Sequence, residues 1–214
     1  INQKIEGRVK MGIIPTIASS ILPLIMKYLV EKYPFLNLEI HEVTTNQLVK
    51  DLREGKLDVG ILSTPIAATD LETELLYAED LRLYGHLAAV GTKISKAALS
   101  QQRFFLLQEG HCLRDQIIQL CDLKKNKSLP SNLSVESNTF DTLLNLVDTF
   151  QGMTLLPALY VSQLNEERKQ HLLALEDGTL SREVSICYYR PYAKWNIIRR
   201  LQTEITEIVQ RHLS

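Results

Sequence analysis

Two cysteines, Cys112 and Cys121, stand nine residues apart in the segment GHCLRDQIIQLC. A thiol in the first turn of a helix feels the partial positive charge of unpaired backbone N–H groups, and His111 and Arg114 lie beside Cys112 in sequence. Both influences lower a thiol pKa from its ordinary value of about 8.5 and keep thiolate available for oxidation. Asp115 offsets that field or orients Arg114. The plain alternatives are a buried, unreactive cysteine at 112 and a structural histidine at 111. Cys187 lies inside the strand-like run SICYYR and reads as packed and inert.

The spacing constrains what the pair can do. Nine helical residues rise about 13.5 Å and turn through about 900°, which puts the two side chains on opposite faces. A disulfide needs Cα atoms within about 7 Å, so Cys112 and Cys121 cannot bond across an intact helix. They never pair, or pairing unravels the segment and pulls Ile117, Ile118 and Leu120 from their contacts. The following DLKKNKSLPSN is polar and Lys-rich, a composition suited to carrying Cys121 inward. A refolding cost of about 3 kcal/mol would shift the potential of such a bond by about 60 mV in the oxidising direction, making it readily reversible.

The elements that must position these residues alternate along the chain. RVKMGIIP reads as a strand and SSILPLIMKYLVEKYP as a helix with Leu22, Ile25, Met26 and Leu29 on one face. FLNLEIHEV, TNQLVKDLREGK and LDVGILS continue as strand, helix and buried strand. This order implies right-handed crossovers and a mostly parallel sheet covered by helices. Two extended runs follow, LETELLYAE and LRLYGHLAAV. The alternation then restarts with strand RFFLLQ, the helix from His111, strand NLSVES, helix TFDTLLNLVDTF, strand GMTLLP and helix ALYVSQL. Strand VSICYYR and an amphipathic helix from Lys194 close the chain. The expected architecture is α/β, with two Rossmann-like lobes joined by hinge strands: residues 1–78 with 188–214 in the first, and residues 79–187, carrying the redox cysteines, in the second.

In such folds ligands bind where helix N-termini face the carboxyl ends of strands. Thr16 in GIIPT and Thr44 and Thr45 in HEVTTNQL stand at corners of that kind, although each could simply cap its helix. Composition narrows the function classes. Lys plus Arg (24) nearly balances Asp plus Glu (25), so no nucleic-acid surface is advertised. No apolar run approaches the roughly 18 residues of a membrane span. Three cysteines, an odd number, do not suit a secreted disulfide framework, and a cytoplasmic chain with reduced thiols is expected. There is no CxxC, no Gly-rich dinucleotide fingerprint, no metal-ligand cluster and no Ser/His/Asp arrangement, so neither a cofactor nor enzymatic turnover is expected.

EGHCLRDQ with its second cysteine resembles the redox motif of peroxide-sensing members of the LysR-type transcription regulators. GIIPT, HEVTTNQL, GKLDVGIL, GMTLLPAL and YYRP resemble the effector domain of that family more generally. The resemblance implies a two-lobed domain of the type II periplasmic-binding-protein kind that controls an attached DNA-binding domain. It implies that H2O2 oxidises Cys112 to a sulfenic acid and that Cys121 resolves it to a reversible disulfide. It places Thr16, Thr45, His111, Arg114, Asp115 and Arg190 around the peroxide. It further implies a homodimer through this domain and a tetramer in the full-length protein. DNA and RNA polymerase would be contacted only through the full-length protein, with glutaredoxin or thioredoxin as reductant. The family's winged helix-turn-helix is absent from this chain, which is therefore expected to be the regulatory domain alone, without DNA binding of its own. The competing expectations are a LysR-type domain that binds a small organic effector between its lobes, and a thiol peroxidase.

Overall fold

The structure, a computed structural model, describes residues 5–86, 93–108, 112–121, 137–176, 178–189 and 194–213, with the backbone alone at 112 and 120. In chain order the elements are β1 (Gly7–Ile13), α1 (Pro15–Lys32), β2 (Leu36–Glu42), α2 (Thr45–Arg53), β3 (Val59–Thr64) and β4 (Glu72–Gly85). Next come β5 (Lys93–Ile94), α3 (Lys96–Leu99), α4 (Cys112–Leu120), α5 (Phe140–Phe150), β6 (Met153–Pro157) and α6 (Ala158–Val161). The chain closes with α7 (Glu166–Lys169), β7 (Leu172–Leu175), β8 (Leu180–Tyr188) and α8 (Trp195–Leu213). It divides into two compact units, residues 1–79 with 182–214 (unit 1) and residues 80–181 (unit 2).

In unit 1 the strand order is β2-β1-β3-β8-β4. β1 runs parallel to both β2 and β3, while β8 runs antiparallel to β3. Val59 to Ser63 of β3 are buried without interruption, the mark of a central strand covered on both faces. α1 begins with Pro15, whose fixed φ and missing N–H suit the first helical turn. Its buried face is Ile17, Ile21, Ile25 and Leu29; Leu22 and Met26, expected on that face, are only half-buried. α8 packs with Ile198, Leu201, Ile205 and Val209 inward, and buried Glu204 ties it to α1. Glu204 accepts from the hydroxyls of Tyr28 (2.8 Å) and Tyr33 (2.6 Å) and from Lys32 Nζ (2.8 Å). Burial opposes ionisation of this carboxyl, but the bonds from Lys32, Tyr33 and Tyr28 outweigh it and hold the group below the usual carboxylate range.

In unit 2, Leu81–Gly85 of β4 pair antiparallel with β6, Leu83 and Tyr84 pair with β7, and β5 lies parallel to β7. α5 is capped by Thr139, whose Oγ1 accepts from the Thr142 N–H at 3.3 Å. Leu81, Leu83, Phe104, Leu113, Ile117, Cys121, Leu144, Val147, Met153 and Leu180 belong to one buried cluster.

Several expected elements are redrawn. The two runs on either side of residue 80 form one strand, β4, because the backbone stays extended through Asp80. Among the described residues RFFLLQ contributes a single bridge, Phe104 to Met153, and its backbone bonds go to residues of different segments. ALYVSQL shortens to the four residues of α6. Most of NLSVES lies outside the described residues. β8 joins unit 1 from Arg182, six residues earlier than expected, because Glu183–Cys187 pair with β3.

Candidate functional site

α4 starts at Cys112, and the Cys121 N–H donates to the Ile117 carbonyl at 3.0 Å, extending the helical pattern to the second cysteine. Leu113, Ile117 and Cys121 are buried at i, i+4 and i+8, one stripe facing the unit 2 core. Of Ile117, Ile118 and Leu120, whose contacts unravelling was expected to break, Ile117 is buried. Ile118 is only half-buried, and the Leu120 side chain lies outside the description. Cys121 is thus itself a core residue, while Cys112 begins the helix one position before the stripe.

The two thiol positions differ in kind. Cys121 is a free thiol, 3% exposed, and burial pushes its pKa up to about 11, with Lys96 drawing it slightly back. Held there it is protonated at neutral pH and a poor nucleophile. Cys112 occupies the first position of a nine-residue helix.

Around the start of α4 the chain is fastened by main-chain bonds. Arg114, half-buried, donates from Nη1 to the Leu107 carbonyl at 3.0 Å. Asp115, thought of as a partner for Arg114, is exposed in the first turn, where a carboxylate complements the helix dipole. The Gln108 N–H donates to the Ser137 carbonyl at 2.8 Å, and the Phe105 N–H to Met153 at 2.8 Å. The described segments before and after the cysteine region are therefore joined to one another and to β6. His111 and Arg190 lie outside the described residues.

In unit 1, Thr16 is the second residue of α1 and is buried; Thr45 is the first residue of α2 and is half-buried. The capping role considered for these threonines is not the one found. Ile14 and Thr44 occupy the N-cap positions, and neither side chain makes a capping bond. Thr16 instead meets Arg182, whose Nη1 reaches Thr16 Oγ1 at 3.3 Å and whose Nη2 donates to the Thr16 carbonyl at 3.1 Å. The same guanidinium grips Glu79 Oε1 from Nε at 3.0 Å and Nη2 at 2.7 Å, with both side chains essentially sealed from solvent. Removing one member of such a pair leaves a buried charge alone and costs about 3–5 kcal/mol.

Arg182 and Glu79 escaped the sequence reading. Their signal was phase: in LSREV every second residue from Leu180 is buried, and an arginine on the buried phase of a strand demands a buried acid. Cys187, read as inert, is buried in β8 beside Gly60 of β3, where an added Cβ would stand 2.9 Å from its Sγ.

Known proteins share this fold. The LysR substrate-binding domain family matches residues 2–205. Over 170 residues the chain is 33% identical to a probable hydrogen peroxide-inducible genes activator of Streptomyces viridosporus, covering 78% of this chain and 54% of that protein. Over 162 residues it is 32% identical to the DNA-binding transcriptional dual regulator OxyR of Escherichia coli (strain K12), covering 74% and 52%. The crystal structure of the reduced form of OxyR superposes with a TM-score of 0.81 at 25% identity, covering 99% of this chain and 100% of that one. The chain spans about half the length of these two curated relatives. Among the described residues no helix is long and apolar enough to cross a membrane. Its α/β fold is that of the type II periplasmic-binding-protein-like effector domains, which belong to transcription regulators and not to enzymes. The chain belongs to the LysR substrate-binding domain family.

Proposed function

We propose that the chain is the hydrogen peroxide-sensing regulatory domain of a LysR-type transcription regulator, with Cys112 as the peroxidatic and Cys121 as the resolving thiol. The observation that carries this reading is the opposed placement of the two cysteines on α4. One opens the helix, where a thiolate is favoured; the other is a free thiol held in the core at the far end. The names of the relatives, hydrogen peroxide-inducible genes activator and OxyR, support it.

The Cys112 thiolate attacks one peroxide oxygen, the O–O bond breaks, and hydroxide leaves to be protonated to water. Cys112 is now a sulfenic acid. Cys121 then attacks the Cys112 sulfur, its own proton going with the departing hydroxide as a second water. Two thiols and one H2O2 become one disulfide and two waters. Arg114 and Asp115 share the first turn of α4 with Cys112, and His111 precedes it in sequence; a guanidinium there stabilises the leaving hydroxide. Thr16, Thr45 and Arg190 are assigned to peroxide handling on the strength of the resemblance, and each is tested by its own substitution.

For Cys121 to reach Cys112, α4 must open and Cys121 must leave the core together with Leu113 and Ile117. The Gln108–Ser137 and Phe105–Met153 bonds hold the flanks and confine the rearrangement between them. In the full-length cytoplasmic regulator this change would repack a homodimer, within a tetramer, and so alter its engagement of DNA and RNA polymerase. Glutaredoxin or thioredoxin would reverse it.

The test is a peptide map of the reduced domain after about one equivalent of H2O2, read against free-thiol alkylation. A Cys112–Cys121 link forming within seconds, with Cys187 still unoxidised, is the expected result. Survival of all three thiols would overturn the reading and favour a domain answering to a small organic effector.

A further inference from the structure

Within unit 2, the far end of β4, the residue before β7 and the last turn of α5 bring four polar side chains together: Tyr84, His86, His171 and Asp148. Main-chain bonds fix the two histidines side by side. The Gly85 N–H donates to the His171 carbonyl and the His86 N–H to the Gly152 carbonyl, each at 3.0 Å. Their ring centroids stand 4.5 Å apart, with the rings tilted by 48°. Asp148 Oδ1 lies 3.3 Å from His86 Nε2 and accepts from the Tyr84 hydroxyl at 2.7 Å. Its other oxygen, Oδ2, stands 3.8 Å from Arg168 Nε. That guanidinium also donates to Asn145 Oδ1 at 2.6 Å and lies 3.7 Å from Asp141 Oδ1, so it is shared along α5. The His86 side chain is 19% exposed and that of Asp148 36%, and His171 is half-buried, so solvent reaches the group. The peroxide chemistry uses none of these side chains.

We propose that His86, His171 and Asp148 bind a divalent transition metal ion of the zinc class. Two imidazoles and one carboxylate are a donor set that suits such ions, with water filling the open position. In a tetrahedral zinc site with bonds of about 2.0–2.1 Å, neighbouring donor atoms stand about 3.3 Å apart. His86 Nε2 and Asp148 Oδ1 already hold that separation. Among the described residues no three such donors yet surround one point, and the third arrives when the His171 ring turns about its side-chain bonds. Carboxylates that bind metal are oriented by outer partners, a part that the Tyr84 hydroxyl and Arg168 play for Asp148.

A filled site ties the end of β4 and the start of β7 to α5, and so stabilises unit 2 by mass action. Binding needs unprotonated imidazole nitrogens, so it weakens as acid is added. The test titrates the reduced domain with Zn2+ and follows the histidine ring nitrogens by NMR. Reading the rings directly separates this site from the thiols: zinc taken by Cys112 and Cys121 leaves the His86 and His171 rings unshifted until more metal is added. His41 and His212, elsewhere in the chain, serve as internal controls.

The expected result is that the His86 and His171 rings shift together, with one shared midpoint, while those of His41 and His212 stay put. Followed on the His86 ring, His171→Gln and Asp148→Asn each weaken binding by about tenfold or more, and Tyr84→Phe weakens it by less. Rings that stay unshifted up to about 1 mM Zn2+, a shift of one ring without the other, or an affinity unchanged in His171→Gln overturns the proposal. If a variant fails to fold, the two ring titrations in the wild type decide alone.

Discussion

Cys187 in unit 1 and Cys121 in unit 2 are both buried thiols, yet their backbones are held in different ways. Cys187 sits in β8 opposite Gly60, with the strand paired over five positions to β3. Gly60 has no room for a side chain: an added Cβ would lie 2.5 Å from Leu48 and 2.9 Å from the Cys187 sulfur. Moving Cys187 means breaking a sheet. Cys121 is kept in place by one stripe of a nine-residue helix and by one main-chain bond to Ile117. Helices of that length are marginal without tertiary packing, so α4 depends on the core contacts it makes. Burial therefore does not by itself make a thiol inert; what matters is how much ordered backbone must move with it.

That contrast can be broken at either end. The largest effect is expected from Ile117→Ala, which empties the middle of the α4 stripe and should cost about 3 kcal/mol in denaturant unfolding. The same variant should accelerate alkylation of Cys121 while leaving that of Cys187 unchanged. Equal acceleration at both would mean that the two thiols open only with global unfolding. Gly60→Ala should cost about 2 kcal/mol by forcing Leu48 or Cys187 aside. A neutral outcome in thermal unfolding would remove the argument that Cys187 is locked by packing.

A pH measurement sharpens the same comparison. In the unfolded chain a thiol ionises near its ordinary value of about 9, whereas burial pushes Cys121 up to about 11 in the fold. A raised folded pKa means that the stabilisation is complete below pH 9 and drains away as pH rises through 11. By pH 11 the wild type should have lost about 2 kcal/mol that Cys121→Ala does not lose. Coincident alkaline profiles for the two proteins would show that the core does not hold this thiol protonated. The smallest effect is expected from Arg114→Met, which removes the bond to the Leu107 carbonyl at the start of α4. It should cost about 1 kcal/mol in denaturant unfolding and slow Cys112–Cys121 linkage in a quenched time course, because the guanidinium assigned to the leaving hydroxide is gone.

The parts legible in the sequence are those written by local period and composition. The strand–helix–strand alternation of the first 64 residues follows from apolar spacing, as does the helix expected from His111 and found from Cys112. What escaped depended on partners distant in sequence. β4 could not be read as one strand across Asp80, because its continuity comes from pairing with β6 and β7 in its second half. RFFLLQ has every local mark of a strand, yet among the described residues it makes one bridge, since whether a strand forms depends on the neighbour available. That Leu113 and Cys121 join Ile117 on the buried stripe of α4 could not be singled out, because Ile118 is as apolar as Leu113 and only the packed core distinguishes them. The buried ion pair of Glu79 and Arg182 joins residues 103 positions apart, and although the phase of LSREV hints at a buried arginine, nothing local names Glu79 as its partner.

The central claim is that linking the cysteines and opening α4 are one event. The most direct test follows both in a single sample, quenched at intervals after H2O2 and mapped for the Cys112–Cys121 link and for hydrogen exchange along residues 112–121. The account predicts that protection of the Cys121 amide, now bonded to the Ile117 carbonyl, is lost at the rate at which the link appears. A link that forms while the helix amides stay protected would contradict it.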